Sequence, residues 1–188
     1  MGGPARFRWI VAVAVGSLSL AACSHASDTT TTATAPEAES APEPITVDVE
    51  ADLAAHAVQK YCAAHCADLV RYVYNTTFTA TMPDSTHRAM PAAVRAAIEA
   101  TGAGFQFVTG AEANALFGPD GLVDEGRGIL LNVGPVEPLT DRVVGIEVGG
   151  ITGHDAGLGM VIQYEWDGTR WAAVTPEQSG VTVTTWVS

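Results

Sequence analysis

The chain has 188 residues, 47% of them apolar, and carries 21 acidic side chains against 9 basic ones, a formal net charge of −12 at pH 7. Such a balance repels phosphate backbones and anionic headgroups, so it argues against a nucleic acid partner. Three cysteines are too few for a disulfide scaffold, and no apolar stretch approaches the roughly 20 residues that a membrane-crossing helix needs.

Arg6 and Arg8 open the chain, an apolar run from Trp9 to Leu20 follows, and Leu20-Ala21-Ala22-Cys23 closes it. The run is interrupted by Gly16, Ser17 and Ser19 and is too short to span a bilayer. Its charge, apolar core and small-residue end are those of an export signal. The segment resembles bacterial lipoprotein signal peptides, which are cut before the cysteine and acylated on it. The resemblance implies a signal peptide at residues 1–22 and lipidation of Cys23, with palmitate-like chains contributing about 0.8 kcal/mol per buried CH₂. It places the protein on the extracytoplasmic side of the cell membrane, part of the cell envelope, with the membrane as a partner through the anchor. An ordinary secreted protein cut near Ala22 and a short uncleaved anchor are the alternatives.

Removing Arg6 and Arg8 leaves seven basic residues in the mature chain, which is therefore more acidic still. Residues 23–44 are the lipidated Cys23 followed by Ser, Thr, Ala, Pro and Glu, including Thr29-Thr30-Thr31-Thr32. A segment without large apolar side chains cannot offset its ordering entropy, so a disordered tether is expected, with a composition that suits O-glycosylation. Residues 45–188 are enough for a single domain.

In that domain Asp48, Glu50 and Asp52 precede Leu53, Ala57, Val58, Tyr61, Cys62, His65, Leu69 and Val73, which recur at steps of three and four. Acid residues at the positive end and one apolar stripe predict a long amphipathic helix ending near Asn75. A second helix is expected from Pro91 to Gly102, a short strand over Phe105 to Val108, and a helical turn over Ala111 to Phe117. After Gly128 the period changes to two. Ile129, Leu131 and Val133 alternate, as do Val144, Ile146 and Val148, and then Leu158, Met160, Ile162, Tyr164 and Trp166. Asp167-Gly168 predicts a hairpin into Arg170 to Thr175, and Val181 to Val187 a last strand. Helices first and strands after predict an α+β domain, with N-terminal helices packed on one face of a C-terminal antiparallel β-meander of four to five strands. On the other face Glu147, Gln163 and Glu165 are expected to form a solvated polar surface.

The stretch Val143-Val144-Gly145-Ile146-Glu147-Val148, the Gly-rich run Gly153 to Gly159, Tyr164-Glu165-Trp166-Asp167-Gly168-Thr169-Arg170-Trp171 and the closing Trp186-Val187-Ser188 resemble a pattern in small uncharacterised exported bacterial proteins. The likeness implies a fold and carries no activity. More remotely, a helix on a curved antiparallel sheet resembles cystatin-like and ketosteroid-isomerase-like cones.

Cys62-Ala63-Ala64-His65-Cys66 is the one dense group of chemically capable side chains. With Cys23 lipidated, Cys62 and Cys66 are the remaining thiols, and an exported domain permits a disulfide between them. In a regular helix their Cα atoms stand about 6 Å apart and their Cβ atoms about 5 to 6 Å apart, where a bridge wants roughly 3.8 Å. The alternatives are free buried thiols, or a copper or zinc shell and redox site using Cys62, His65 and Cys66 with a distant His87 or His154. A helix turns His65 about 100° away from Cys66, which weakens that shell.

The glycine-rich run Gly149 to Gly159 feeds a strand where a phosphate cradle opens a helix, so it reads as turn and bulge. His154-Asp155 at its tip reads as an exposed loop pair. Asp120, Asp124 and Glu125 lack the spacing of a calcium loop. Asp84, Ser85 and His87 do not compose a triad. The chain thus reads as an envelope lipoprotein without a cofactor, a non-enzymatic module binding an envelope protein or a small ligand. The alternative is a thiol-redox or metal-handling protein. A hydrolase or isomerase in a sheet-lined pocket is a third class without a nominated residue.

Overall fold

The computed structural model describes residues 41–77, 88–182 and 186–187. The export segment, Cys23, the tether through residue 40, and Asp84, Ser85 and His87 lie outside these. All the described residues belong to one compact unit.

Helix α1 is Val47–His65. Thr46 starts it by accepting the Val49 amide on Oγ1 at 3.3 Å, and Asp48 and Glu50 set negative charge at its positive end. Leu53, Ala54, Ala57, Val58 and Tyr61 are buried along one stripe. The helix does not continue to Asn75 as its apolar spacing predicts. It closes with the Cys66 amide donating to the Cys62 carbonyl at 3.0 Å, Asp68 reverses the chain at φ 60°, and Val70–Thr77 forms strand β1. Leu69 and Val73 are four apart, a spacing that also returns to the same face of a strand, so the stripe alone does not separate the two states. Val70, Tyr72, Val73 and Tyr74 supply the β-branched and aromatic content that settles it as strand.

Strand β2 is Arg88–Ala89, helix α2 is Ala92–Ala100 behind Pro91, strand β3 is Gln106–Val108, and helix α3 is Gly110–Ala115. A capping box fixes the start of α3: the Thr109 amide donates to Glu112 Oε2 at 2.7 Å and the Glu112 amide to Thr109 Oγ1 at 3.3 Å. Then come β4 at Gly128–Pro138, β5 at Val143–Gly153, β6 at Ala156–Trp166 and β7 at Trp171–Val174, the four-stranded antiparallel meander. A turn of helix, α4, is Pro176–Ser179, and β8 is Trp186–Val187.

Among the described residues the sheet runs β2-β1-β4-β5-β6-β7, with β3 beside β2 on the outer edge of β1. The β1–β4 and β1–β3 pairs are parallel, which the expected meander does not include. Of the expected last strand, residues 183–185 lie outside the described ones, Val181 and Thr182 are not strand, and β8 pairs with β6 through Leu158↔Val187 and Gly159↔Trp186. In β4 the pairing steps from Val133↔Val148 to Val136↔Ile146, one residue more on β4 than on β5. This bulge holds Pro135, whose missing N–H an interior strand tolerates only at such a place.

Helices α1 and α2 share one core with one sheet face, where Val73, Ile129, Leu131, Val133, Val144, Ile146, Val148 and Ile162 meet Leu53, Val58, Val94 and Ile98. Tyr164 braces the two layers. Its hydroxyl donates to the Leu53 carbonyl at 3.0 Å and accepts from His56 Nδ1 at 2.9 Å, and burial pushes its pKa up. A smaller core on the opposite face gathers Leu130, Val108, Ala113 and Val123 beneath α3.

The β6–β7 turn is built on one carboxylate. Asp167 Oδ1 accepts from the Thr169 amide at 2.9 Å, the Thr169 hydroxyl at 2.7 Å and the Arg170 amide at 3.0 Å, which lowers the Asp167 pKa from 3.8 to about 2. A depressed folded pKa contributes stability that is present above 3.8 and lost as pH falls through about 2. Over that acid range the Thr169 and Arg170 amide resonances should shift with the turn carboxyl, and in Asp167→Asn they should not. An unchanged acid titration in the variant would contradict the assignment.

Candidate functional site

The last two turns of α1 form one wall of a cleft of about 390 Å³ lined by Tyr61 and His65, by Ile129, Gly150 and Thr152 from β4 and β5, by Asp155 from the β5–β6 turn, by Ala156 to Leu158 from the start of β6, and by Val187. Tyr61 sets the depth. Its ring is buried and its hydroxyl donates to the Leu158 carbonyl at 2.8 Å, crossing from helix to strand. Burial pushes the phenol's pKa up, against a smaller lowering by the Gly150 backbone, so the group stays a neutral hydroxyl at physiological pH.

Gly150 is what admits that ring. A Cβ there would stand 2.6 Å from Ile129 Cδ1 and 2.7 Å from Tyr61 Oη. Beside Tyr61, the His65 ring is tilted against it with centroids 4.8 Å apart, and His65 Nε2 is buried with no hydrogen-bond partner among the described residues.

The opposite wall is the two-residue turn His154-Asp155, and the loop before β4 holds it in place. The His154 amide donates to the Gly121 carbonyl at 2.9 Å, the Val123 amide to the Thr152 carbonyl at 2.9 Å, and Phe117 stacks on His154 at 4.4 Å. The two tip residues therefore part: His154 goes to Phe117, and Asp155 goes to the cleft.

Cys62 and Cys66 are joined as a disulfide with Cα atoms 4.5 Å apart, nearer than a regular helix sets them. Cys66 is the C-cap, at φ −111° and ψ 20°, and this departure from helical backbone brings the pair together. The metal shell drawn from Cys62, His65 and Cys66 is not assembled here. The two sulfurs are bonded to each other, and among the described residues no group of three His, Cys, Asp or Glu side chains stands together.

The acidic loop is likewise engaged. Asp120 Oδ1 accepts the Leu122 amide at 3.1 Å, and Arg127 lies 3.3 Å from Asp124 and 3.5 Å from Glu125. The solvated polar face expected of Glu147, Gln163 and Glu165 is not one. Glu147 is 4% exposed and Gln163 1%. Gln163 Nε2 donates to the Val181 carbonyl at 2.9 Å and its Oε1 accepts from Ser179, so the α4 segment covers that end of the sheet. Burial, and then the Glu147 carboxylate, raises the pKa of half-buried Glu137 on the same face.

Tyr61 and Asp155 are the site residues that sequence reasoning placed elsewhere, one in the helix core and the other in a solvated loop. The family models hold no match to this chain, and neither curated proteins nor solved structures give a significant one.

Gly150→Ala should cost about 2 kcal/mol, the range for overpacking a filled site. Chemical denaturation measures it, and the Tyr61 ring resonances should shift in parallel as the bond to Leu158 is displaced. An unchanged midpoint would mean that Tyr61 is not seated as described.

Proposed function

We propose that this chain is an exported lipoprotein, anchored through Cys23 on the extracytoplasmic face of the cell membrane, whose α+β domain is a non-enzymatic binding module. The observation that carries the binding half is the cleft beneath the end of α1. Apolar side chains and bare backbone line most of it, a few polar groups converge on it, and its walls are pinned by Tyr61, by the disulfide and by the clasped β5–β6 turn. Small-ligand sites have this make-up, and 390 Å³ falls at the small end of their range.

The anchor half rests on Leu20-Ala21-Ala22-Cys23. Among the described residues no helix is long and apolar enough to cross a membrane. As a flexible chain, residues 23–44 would give the domain a root-mean-square reach of roughly 25 Å from the lipid. That is enough to clear the headgroups and present the cleft to solutes or to neighbouring envelope proteins.

Thiol exchange fits the same site less well. Cys66 is fully buried and Cys62 only partly so, so an attacking thiolate would reach the bridge through Cys62 and would have to expel the Cys66 thiolate into a buried, apolar surround that disfavours the charge.

Palmitate labelling of cells expressing the full chain should tag the protein and place it in the membrane fraction, and Cys23→Ser should lose both. An untagged wild type would overturn the anchor. Intact mass of the exported protein should rise by two hydrogens on reduction without loss of a metal. A copper or zinc adduct lost in Cys66→Ser would reverse the choice between binding and metal handling.

A further inference from the structure

Resting on the reading of the cleft as a binding site, we infer that its ligand is a small organic cation: a protonated amine with a compact apolar body.

Three features select that charge. Asp155 is the one carboxylate in the lining, no Lys or Arg lines the cleft with it, and no ion pair occupies it among the described residues. The wall opposite includes the C-terminal end of a 19-residue helix, the negative end of its dipole. The chain as a whole is at −12, a field that concentrates cations and disfavours carboxylates and phosphates.

The rest of the lining selects the shape. Ile129, Leu158, Ala156 and the backbone of Gly150 and Gly157 form a floor without charged groups, suited to an aryl or short alkyl body. Tyr61 is 1% exposed with its hydroxyl committed to Leu158, His65 Nε2 is buried, and the Thr152 hydroxyl donates to the Ala156 carbonyl at 3.4 Å, so the exposed Asp155 carboxylate is the charged group the cleft offers. An ammonium donates to it, whereas a hydroxyl gains less and a carboxylate is opposed.

Titration of the full chain in nanodiscs of a neutral phospholipid, followed by saturation transfer to the ligand, tests this with three probes of one shape: phenethylamine, phenethyl alcohol and 3-phenylpropanoate. Phenethylamine should bind about tenfold tighter than the alcohol, with the propanoate weakest, and Asp155→Asn should erase the amine's advantage while leaving the alcohol unchanged. Asp155 is exposed in a turn, so its amide should fold like the wild type, and circular dichroism checks that. Equal binding of all three, or an advantage that survives Asp155→Asn, overturns the cation assignment and leaves the cleft as a binding site. Failure of all three to bind overturns both.

Discussion

The layering of this domain depends on one missing side chain. Strand β5 has a hydrogen where every other L residue has a Cβ, and into that gap comes the Tyr61 ring, hydroxyl first, to reach the Leu158 carbonyl one strand away. Without this access α1 would ride higher over β5 at its C-terminal end. The Tyr164 brace, about two turns earlier on α1 in its bond to Leu53, would then tilt the helix and not seat it. The two tyrosines thus act as a pair of posts of opposite origin, one rising from the helix and one from the sheet. Between them they tie the helix to the sheet at two points, and so one wall of the cleft at its end.

The far face of the sheet obeys a different constraint. Strands β4 and β5 are buried on both faces over most of their length, so the polar residues they carry there must be covered as well as paired. Leu139 folds over Gly145, and the α4 segment supplies Ser179 and Val181 to Gln163. An amide with both ends bonded is buried at little net cost, because the protein bonds replace those to water. Glu137 shows the strain of the same arrangement. Its raised pKa means that ionising it in this half-buried place, and then beside Glu147, opposes folding, so its contribution to stability is fullest in acid and falls away as pH rises past the ordinary Glu range. The bulge at Pro135 is next to this region in β4, and the extra residue lets the strand bend there.

The meander was legible in the sequence because its strands alternate, and alternation has one structural meaning. Ile129, Leu131 and Val133 and then Val144, Ile146 and Val148 appear in the core as their spacing requires. Strand β1 was not legible, because Leu69 and Val73 satisfy a helix stripe and a strand face equally. The end of α1 is decided by Asp68 and by pairing with β4, whose partner residues are some sixty positions away. The site divides along the same line. Cys62, His65 and Cys66 stand out by residue type and local spacing. Asp155 joins them only through the β5–β6 register, and the significance of Gly150 only through its distance from Tyr61, and neither is a local property of the chain.

The disulfide gains its meaning from where it falls. A bridge closing so short a loop removes about 2 kcal/mol of unfolded-state entropy at most. It has a geometric effect as well. By tying the C-cap to the preceding turn it stops α1 one residue past His65 and holds the backbone where Asp68 can reverse it into β1. An uncrosslinked helix end frays, and fraying would spread the negative end of the dipole and the imidazole over many positions. Held still, the C-cap and His65 keep one wall of the cleft in place, and under the proposed binding role that lowers the ordering cost a small ligand would otherwise meet.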